Sequence, residues 1–218
     1  MQEIHHNVFE DKGKLLTANL VPGQRVYGER LVKFKNLELR EWDPYRSKLA
    51  AAMLKGMKNW PFAHDSKVLY LGAAQGTTPS HVSDICEKGA VVCVEISQKA
   101  FEKLYPLCES RENMVPVLAD ANMPEKYEEF YTDFDVLYQD VAQPNQASIL
   151  LKNARLLKRG GFALIALKAR SIDVAEKPEA VFKREIESLR KGFEVLEGLS
   201  LNPFDKDHAM IVCRKPMG

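Results

Sequence analysis

Four short apolar runs in this chain each end at a residue able to hold part of a ligand. Lys67 to Leu71 runs into Gly72-Ala73-Ala74-Gln75-Gly76-Thr77-Thr78. Small residues there let the backbone approach a ligand closely, and a following helix start offers free N–H groups to an anion. The spacing is G-x-x-x-G, without the tighter G-x-G-x-x-G turn that a dinucleotide pyrophosphate needs. That argues against a nicotinamide-dependent oxidoreductase. The next run ends at Glu95, 19 positions after Gly76, where a carboxylate can accept from both hydroxyls of a ribose. The third runs into Ala119-Asp120-Ala121, where Asp120 can take an adenine amino group, and the fourth into Gln139-Asp140-Val141-Ala142-Gln143-Pro144. Strand ends reading Gly, Glu, Asp and Asp form a far more specific constellation than any one of them.

Such residues converge only if the runs are neighbouring parallel strands. Lys67 to Leu71, Ala90 to Val94, Met114 to Leu118, Phe134 to Tyr138 and Phe162 to Leu167 have strand length. Helical patterns at Pro79 to Glu87, Gln98 to Cys108, Gln146 to Leu157 and Glu179 to Lys191 separate them. The alternation predicts β-α-β units in a doubly wound sheet, with ligands at the carboxyl ends of the strands. Phe193 to Leu199 and Ala209 to Arg214 read as two final strands paired antiparallel. The expected fold is therefore α/β, with a mostly parallel seven-stranded sheet of the class I methyltransferase kind that binds S-adenosylmethionine.

Ahead of it, Val8 to Leu39 reads as a small antiparallel meander that includes Gln24 to Tyr27 and Leu31 to Phe34 as strands. Asp43 as cap and Pro44 in the first turn predict a helix over Tyr45 to Met57. The expected division is a small β-rich N-terminal domain, residues 1–44, and a methyltransferase domain, residues 45–218.

At 218 residues, 45% hydrophobic and 28% charged, the chain can bury a good-sized core beneath a polar surface. Its longest apolar runs are strand-sized, so no membrane span is expected, and the polar Met1 to Phe9 does not read as a signal peptide. Cys86, Cys93, Cys108 and Cys213 lie far apart with no C-x-x-C pair. Buried thiols are expected, with no metal site, and a reducing compartment, the cytoplasm. Net charge is +1, with 11 Lys+Arg against 7 Asp+Glu in residues 1–60 and 20 against 23 in the remainder. A near-neutral chain with no aromatic-studded basic platform is a poor stand-alone reader of RNA sequence. His5 and His6 read as polar leader residues, and His64 and His81 as loop or helix-start polar groups.

Several stretches resemble the fibrillarin family, particularly its archaeal form. They are Trp42-Asp43-Pro44-Tyr45-Arg46-Ser47-Lys48-Leu49-Ala50-Ala51-Ala52, Gly72 to Thr78, Asp140-Val141-Ala142-Gln143-Pro144-Asn145-Gln146 and Lys168-Ala169-Arg170-Ser171-Ile172-Asp173. The resemblance runs from about Asn7 to Arg214. It departs at Gln75, where Ser is more usual, and at Ile96, where an aromatic usually stacks on adenine. It implies S-adenosylmethionine as cofactor, held by Gly72, Ala73, Thr77, Thr78, Glu95, Ile96, Asp120, Ala121, Asp140, Val141, Ala142 and Gln143. The implied reaction is 2′-O-methylation of rRNA and tRNA directed by box C/D guide RNA. A catalytic set of Lys48, Asp140, Lys168 and His208 is implied with it. Lys168 would orient and deprotonate the hydroxyl, its pKa lowered by burial near another cation, while Asp140 holds that lysine. Lys48 would steer the phosphate or stabilise the alkoxide, and His208 would complete the set. The implied partners are the guide RNA, a Nop-domain scaffold protein and a ribosomal-type RNA-binding protein. Arg155, Lys158, Arg159, Arg170, Lys183 and Arg184 could add phosphate contacts, although most read as solvated helix faces.

Overall fold

The computed structural model describes residues 1–129 and 131–218. Two sheets organise it. An N-terminal antiparallel sheet orders β1 (Gln2–His5), β2 (Val8–Asp11), β3 (Lys14–Ala18), β4 (Leu31–Phe34) and β5 (Leu37–Trp42) as β1-β2-β3-β5-β4. The larger sheet contains β6 (Lys67–Leu71), β7 (Ala90–Glu95), β8 (Met114–Leu118), β9 (Phe134–Gln139), β10 (Leu157–Lys168), β11 (Glu194–Ser200) and β12 (His208–Arg214). Its order is β11-β12-β10-β9-β6-β7-β8. The pairs from β10 through β9, β6 and β7 to β8 are parallel, and β12 runs antiparallel to both β10 and β11. After β8 the chain crosses back to lay β9 on the other side of β6. That reversal opens a crevice at the carboxyl ends of β6 and β9.

Alternation along β6 assigns its residues to opposite faces of the sheet. Val68 and Tyr70 join a cluster with α1 (Lys48–Leu54), α2 (Thr77–Ile85) and α3 (Gln98–Glu109). Leu69 and Leu71 join another with α4 (Gln146–Asn153) and α5 (Pro178–Leu189). Both faces are thus covered, as parallel strands require. Val8, Leu15 and Trp42 of the small sheet belong to the first cluster, so the two sheets share apolar packing.

The start of α1 differs from expectation. Asp43 Oδ1 accepts from the Tyr45 amide within a turn, and the helix begins only at Lys48. Its cap is Ser47, whose hydroxyl accepts from the Ala50 amide. Gln24 to Tyr27 is likewise no strand. The amides of Val26 and Tyr27 donate to the Glu29 carboxylate, and this side chain takes the place of a ladder partner. The strand β1 was unexpected in the polar leader. Helix α4 stops at Asn153, and a 3-10 turn over Ala154–Leu156 leads straight into β10.

The reading of His81 as a loop or helix-start polar group misses its burial. Its side chain is fully buried in α2, against the small sheet, with its ring stacked on Trp42 at 5.0 Å between centroids. Thr17 Oγ1 and Tyr27 Oη lie 2.7 and 2.8 Å from its two ring nitrogens. Burial and the neighbouring Arg40 and Arg111 hold its pKa well below the ordinary histidine value. Around it, Arg40 pairs with Glu29 at 3.1 Å and Asp84 at 3.5 Å, and Arg111 pairs with Asp84 at 2.7 Å. The four cysteines are free and buried, and no helix among the described residues is long and apolar enough to cross a membrane.

Candidate active site

The crevice holds a cleft of about 330 Å³, bounded by the ends of β6, β7, β8, β9 and β10. Gly72 forms its floor at φ +81°. A Cβ there would sit 2.6 Å from the Asp140 carbonyl oxygen, so only glycine lets the two loops meet. Glu95 is buried, and its two oxygens accept from the amides of Ala74 and Ser97, each at 2.7 Å. Those bonds aim the carboxylate into the cleft while leaving it lone pairs for hydroxyl donors. Ile96, 54% exposed, contributes an apolar wall. On the opposite rim, Asn122 donates to Gln143 and accepts from Asn145, tying the loop after β8 to the loop after β9.

Charges gather where β9 and β10 end. Lys168 Nζ lies 2.9 Å from Asp140 Oδ1 and 3.2 Å from the Asp140 carbonyl oxygen. Lys48 Nζ reaches the same carboxylate at 3.3 Å and Asp205 at 3.5 Å. His208 Nδ1 contacts Asp205 at 2.8 Å. Burial works to lower the Lys48 pKa, but Asp140 and Asp205 outweigh it and hold the ammonium above the usual lysine value. Burial also opposes ionisation of Asp205, yet His208 and Lys48 keep its pKa below the ordinary aspartate value. Antiparallel register places His208 directly opposite Lys168 on β12 and β10. The buried Gln146 side chain then clamps the Lys168 backbone, accepting from its amide at 3.0 Å and donating to its carbonyl at 3.4 Å.

Lys48, Asp140, Lys168 and His208 therefore come together, with Asp205 as an unforeseen fifth member. Lys48 and Lys168 meet at the same Asp140 carboxylate, so the expected neighbouring cation stands beside Lys168 with a carboxylate shared between the two. Gly72, Glu95, Ile96, Ala121, Asp140, Val141, Ala142 and Gln143 line the cleft, joined by Ala74, Val94 and Ala119, which sequence reasoning missed. Four expected residues lie off that lining. Ala73 is buried, and Thr78 is buried with its hydroxyl on Ser47. Thr77 faces a neighbouring groove, and Asp120 Oδ1 accepts from the Asn122 amide.

The fibrillarin family model matches residues 1–217. The chain belongs to the fibrillarin family. A fibrillarin-like rRNA/tRNA 2′-O-methyltransferase of Pyrococcus furiosus is 52% identical, over 96% of this chain and 94% of the relative. Among solved structures, Aeropyrum pernix fibrillarin with natively bound S-adenosyl-L-methionine aligns with a TM-score of 0.86 at 49% identity, covering 92% and 88% of the two chains. A fibrillarin in complex with Nop5p aligns with a TM-score of 0.91 at 41% identity, covering 98% and 100%. The large sheet is the class I methyltransferase fold, and the fibrillarin chain carries its charged cluster at the carboxyl ends expected of that fold.

Proposed function

We propose that this fibrillarin-family methyltransferase moves a methyl group from S-adenosylmethionine to the 2′-hydroxyl of an rRNA or tRNA ribose selected by a box C/D guide RNA. The observation that carries this reading is the Asp140 carboxylate, shared by Lys48 and Lys168 at the rim of a cleft floored by Gly72.

The cofactor, when bound, supplies a sulfonium whose methyl is already activated toward a nucleophile. Glu95 would accept from the adenosine ribose hydroxyls, Ile96 and Ala121 would wall the adenine, and Asp120 would take its amino group. Asp140 offsets positive charge in the cleft and keeps Lys168 pointed at the acceptor. Lys168 orients the hydroxyl and takes its proton as the oxygen attacks in line. Lys48 steers the adjoining phosphate and steadies negative charge on the attacking oxygen. His208 fixes Asp205, which in turn helps hold Lys48.

Near-zero net charge leaves target selection to partners: the guide RNA, a Nop-domain scaffold and a ribosomal-type RNA-binding protein. The buried reduced thiols agree with work in the cytoplasm. Reconstitution with these partners and labelled cofactor tests the reading. Alkaline hydrolysis of the product should leave one guide-specified linkage intact, because a methylated 2′-oxygen cannot attack its phosphate. Label on a base or on protein, or no transfer, would overturn it.

A further inference from the structure

Beside the cleft, on the α1 side, lies a second concavity of about 430 Å³ with a different chemistry. Arg25 from the β3–β4 loop, Arg46 from the turn before α1 and Lys103 from α3 line it, and no carboxylate does. All three cations are exposed, and none enters an ion pair among the described residues. Glu38 feels the charge of Arg25 without forming an ion pair with it, and its Oε1 accepts from the Gly23 amide and Asn19. Gln75 and Thr77 add neutral polar groups to the wall.

Buried structure supports the Arg46 side chain and the backbone beside Arg25. The Arg46 guanidinium sits 5.7 Å from the centre of the Tyr27 ring. Tyr27 in turn donates its hydroxyl to the Glu41 carbonyl oxygen and meets His81. The backbone around Arg25 is secured by Glu29, which pairs with the buried Arg40. Rigid support of this kind reduces the side-chain entropy a ligand must remove.

Chain neighbours link the groove to the reaction centre. Arg46 stands two residues before Lys48, Ser47 between them bonds to Thr78, and Gln75 belongs to the same loop as Ala74 of the cleft. We infer that Arg25, Arg46 and Lys103 form a phosphate-binding track for the RNA strand carrying the target ribose, leading away from Lys48 over the start of α2. Such a track recognises phosphodiester charge and sets strand direction, leaving base identity to the guide. The inference rests on the proposed RNA reaction and assigns the path by which the substrate strand reaches it.

The test is the Arg25→Gln/Arg46→Gln/Lys103→Gln variant in the reconstituted particle, with RNA KM and cofactor affinity measured from 50 to 200 mM salt. Losing three phosphate contacts to a single strand removes a salt slope of about 2. Wild type should therefore lose roughly fifteenfold more RNA affinity than the variant across that range. Cofactor affinity and melting temperature should stay at wild-type values, and Arg25→Lys/Arg46→Lys should restore most of the RNA affinity. An unchanged RNA KM and salt slope in the triple variant would overturn the track. If the triple variant folds poorly, the exposed single variant Arg25→Gln carries the same prediction at one third of the slope. A wild-type particle that transfers no methyl would instead defeat the reaction assignment.

Discussion

Two ionic clusters in this molecule contain the same ingredients and have opposite fates. Between the small sheet and α2, Arg40 and Arg111 face Glu29 and Asp84, all sealed from solvent. At the cleft, Lys48 and Lys168 face Asp140 and Asp205, with the lysines 19% and 15% exposed. Each holds two cations and two carboxylates. The sealed cluster keeps its guanidinium groups and carboxylates fully buried, beyond the reach of any substrate. The open one uses lysines, point charges on flexible stems that can trade a carboxylate for a substrate oxygen. Residue type and formal charge balance do not separate structural ions from reactive ones; access to a third partner does.

The largest effect should follow from removing the proton acceptor of the open cluster. Lys168→Ala should lower single-turnover methyl transfer by about a hundredfold to ten-thousandfold, the usual worth of a general base. Cofactor affinity and stability should remain near wild type, and Lys168→Arg should not rescue, because guanidinium stays protonated. Near wild-type transfer by the alanine variant would move the base elsewhere. Asp84→Ala should do the reverse, stripping the buried Arg111 of its carboxylate and Arg40 of one of its two, and costing about 3–5 kcal/mol in chemical denaturation. Retained stability there would break the contrast between the clusters.

Glu95→Ala tests the cleft away from both. Two charged acceptors toward ribose hydroxyls are lost, so calorimetric affinity for S-adenosylmethionine should fall roughly ten- to a hundredfold. Unchanged affinity would remove Glu95 from the cofactor site.

The smallest effect concerns pH. Because the folded pKa of His81 is depressed, the unfolded chain binds a proton that the native state refuses. The stability tied to neutral His81 is full above about pH 6.5 and declines as pH falls below it, by at most about 1.4 kcal/mol per unit. His81→Gln should flatten that slope between pH 7 and 5 in denaturation experiments. A parallel slope in the variant would assign the effect to other groups.

Residues at strand ends were legible because apolar runs, glycine and terminal carboxylates are local signals. That is why Gly72, Glu95 and Asp140 were found before any fold was known. What escaped depends on contacts distant in sequence. Glu29 caps the amides of Val26 and Tyr27, so a β-prone run becomes a loop. His81 looks polar in sequence, yet a sheet whose last strand ends 39 residues upstream buries it. Asp205 carries no motif, and its place beside Lys48 arises only when β12 folds back on β10. Ser47 displaced Asp43 as helix cap because Asp43 is occupied by its own turn.

The pairing of Lys168 with His208 separates what may vary in length from what may not. The ladder from Phe162 opposite Arg214 to Lys168 opposite His208 acts as a ruler, fixed by apolar side chains that would change faces on a one-residue slip. The connection from Leu201 to Asp207 lies outside that ruler. Lengthening it modestly costs only a few tenths of a kcal/mol in closure entropy and leaves His208 where it stands. Asp205, inside the connection, would move. Register thus sets Lys168 and His208 while a loop sets Asp205, and of these three only Asp205 can be retuned by insertion or deletion in that connection.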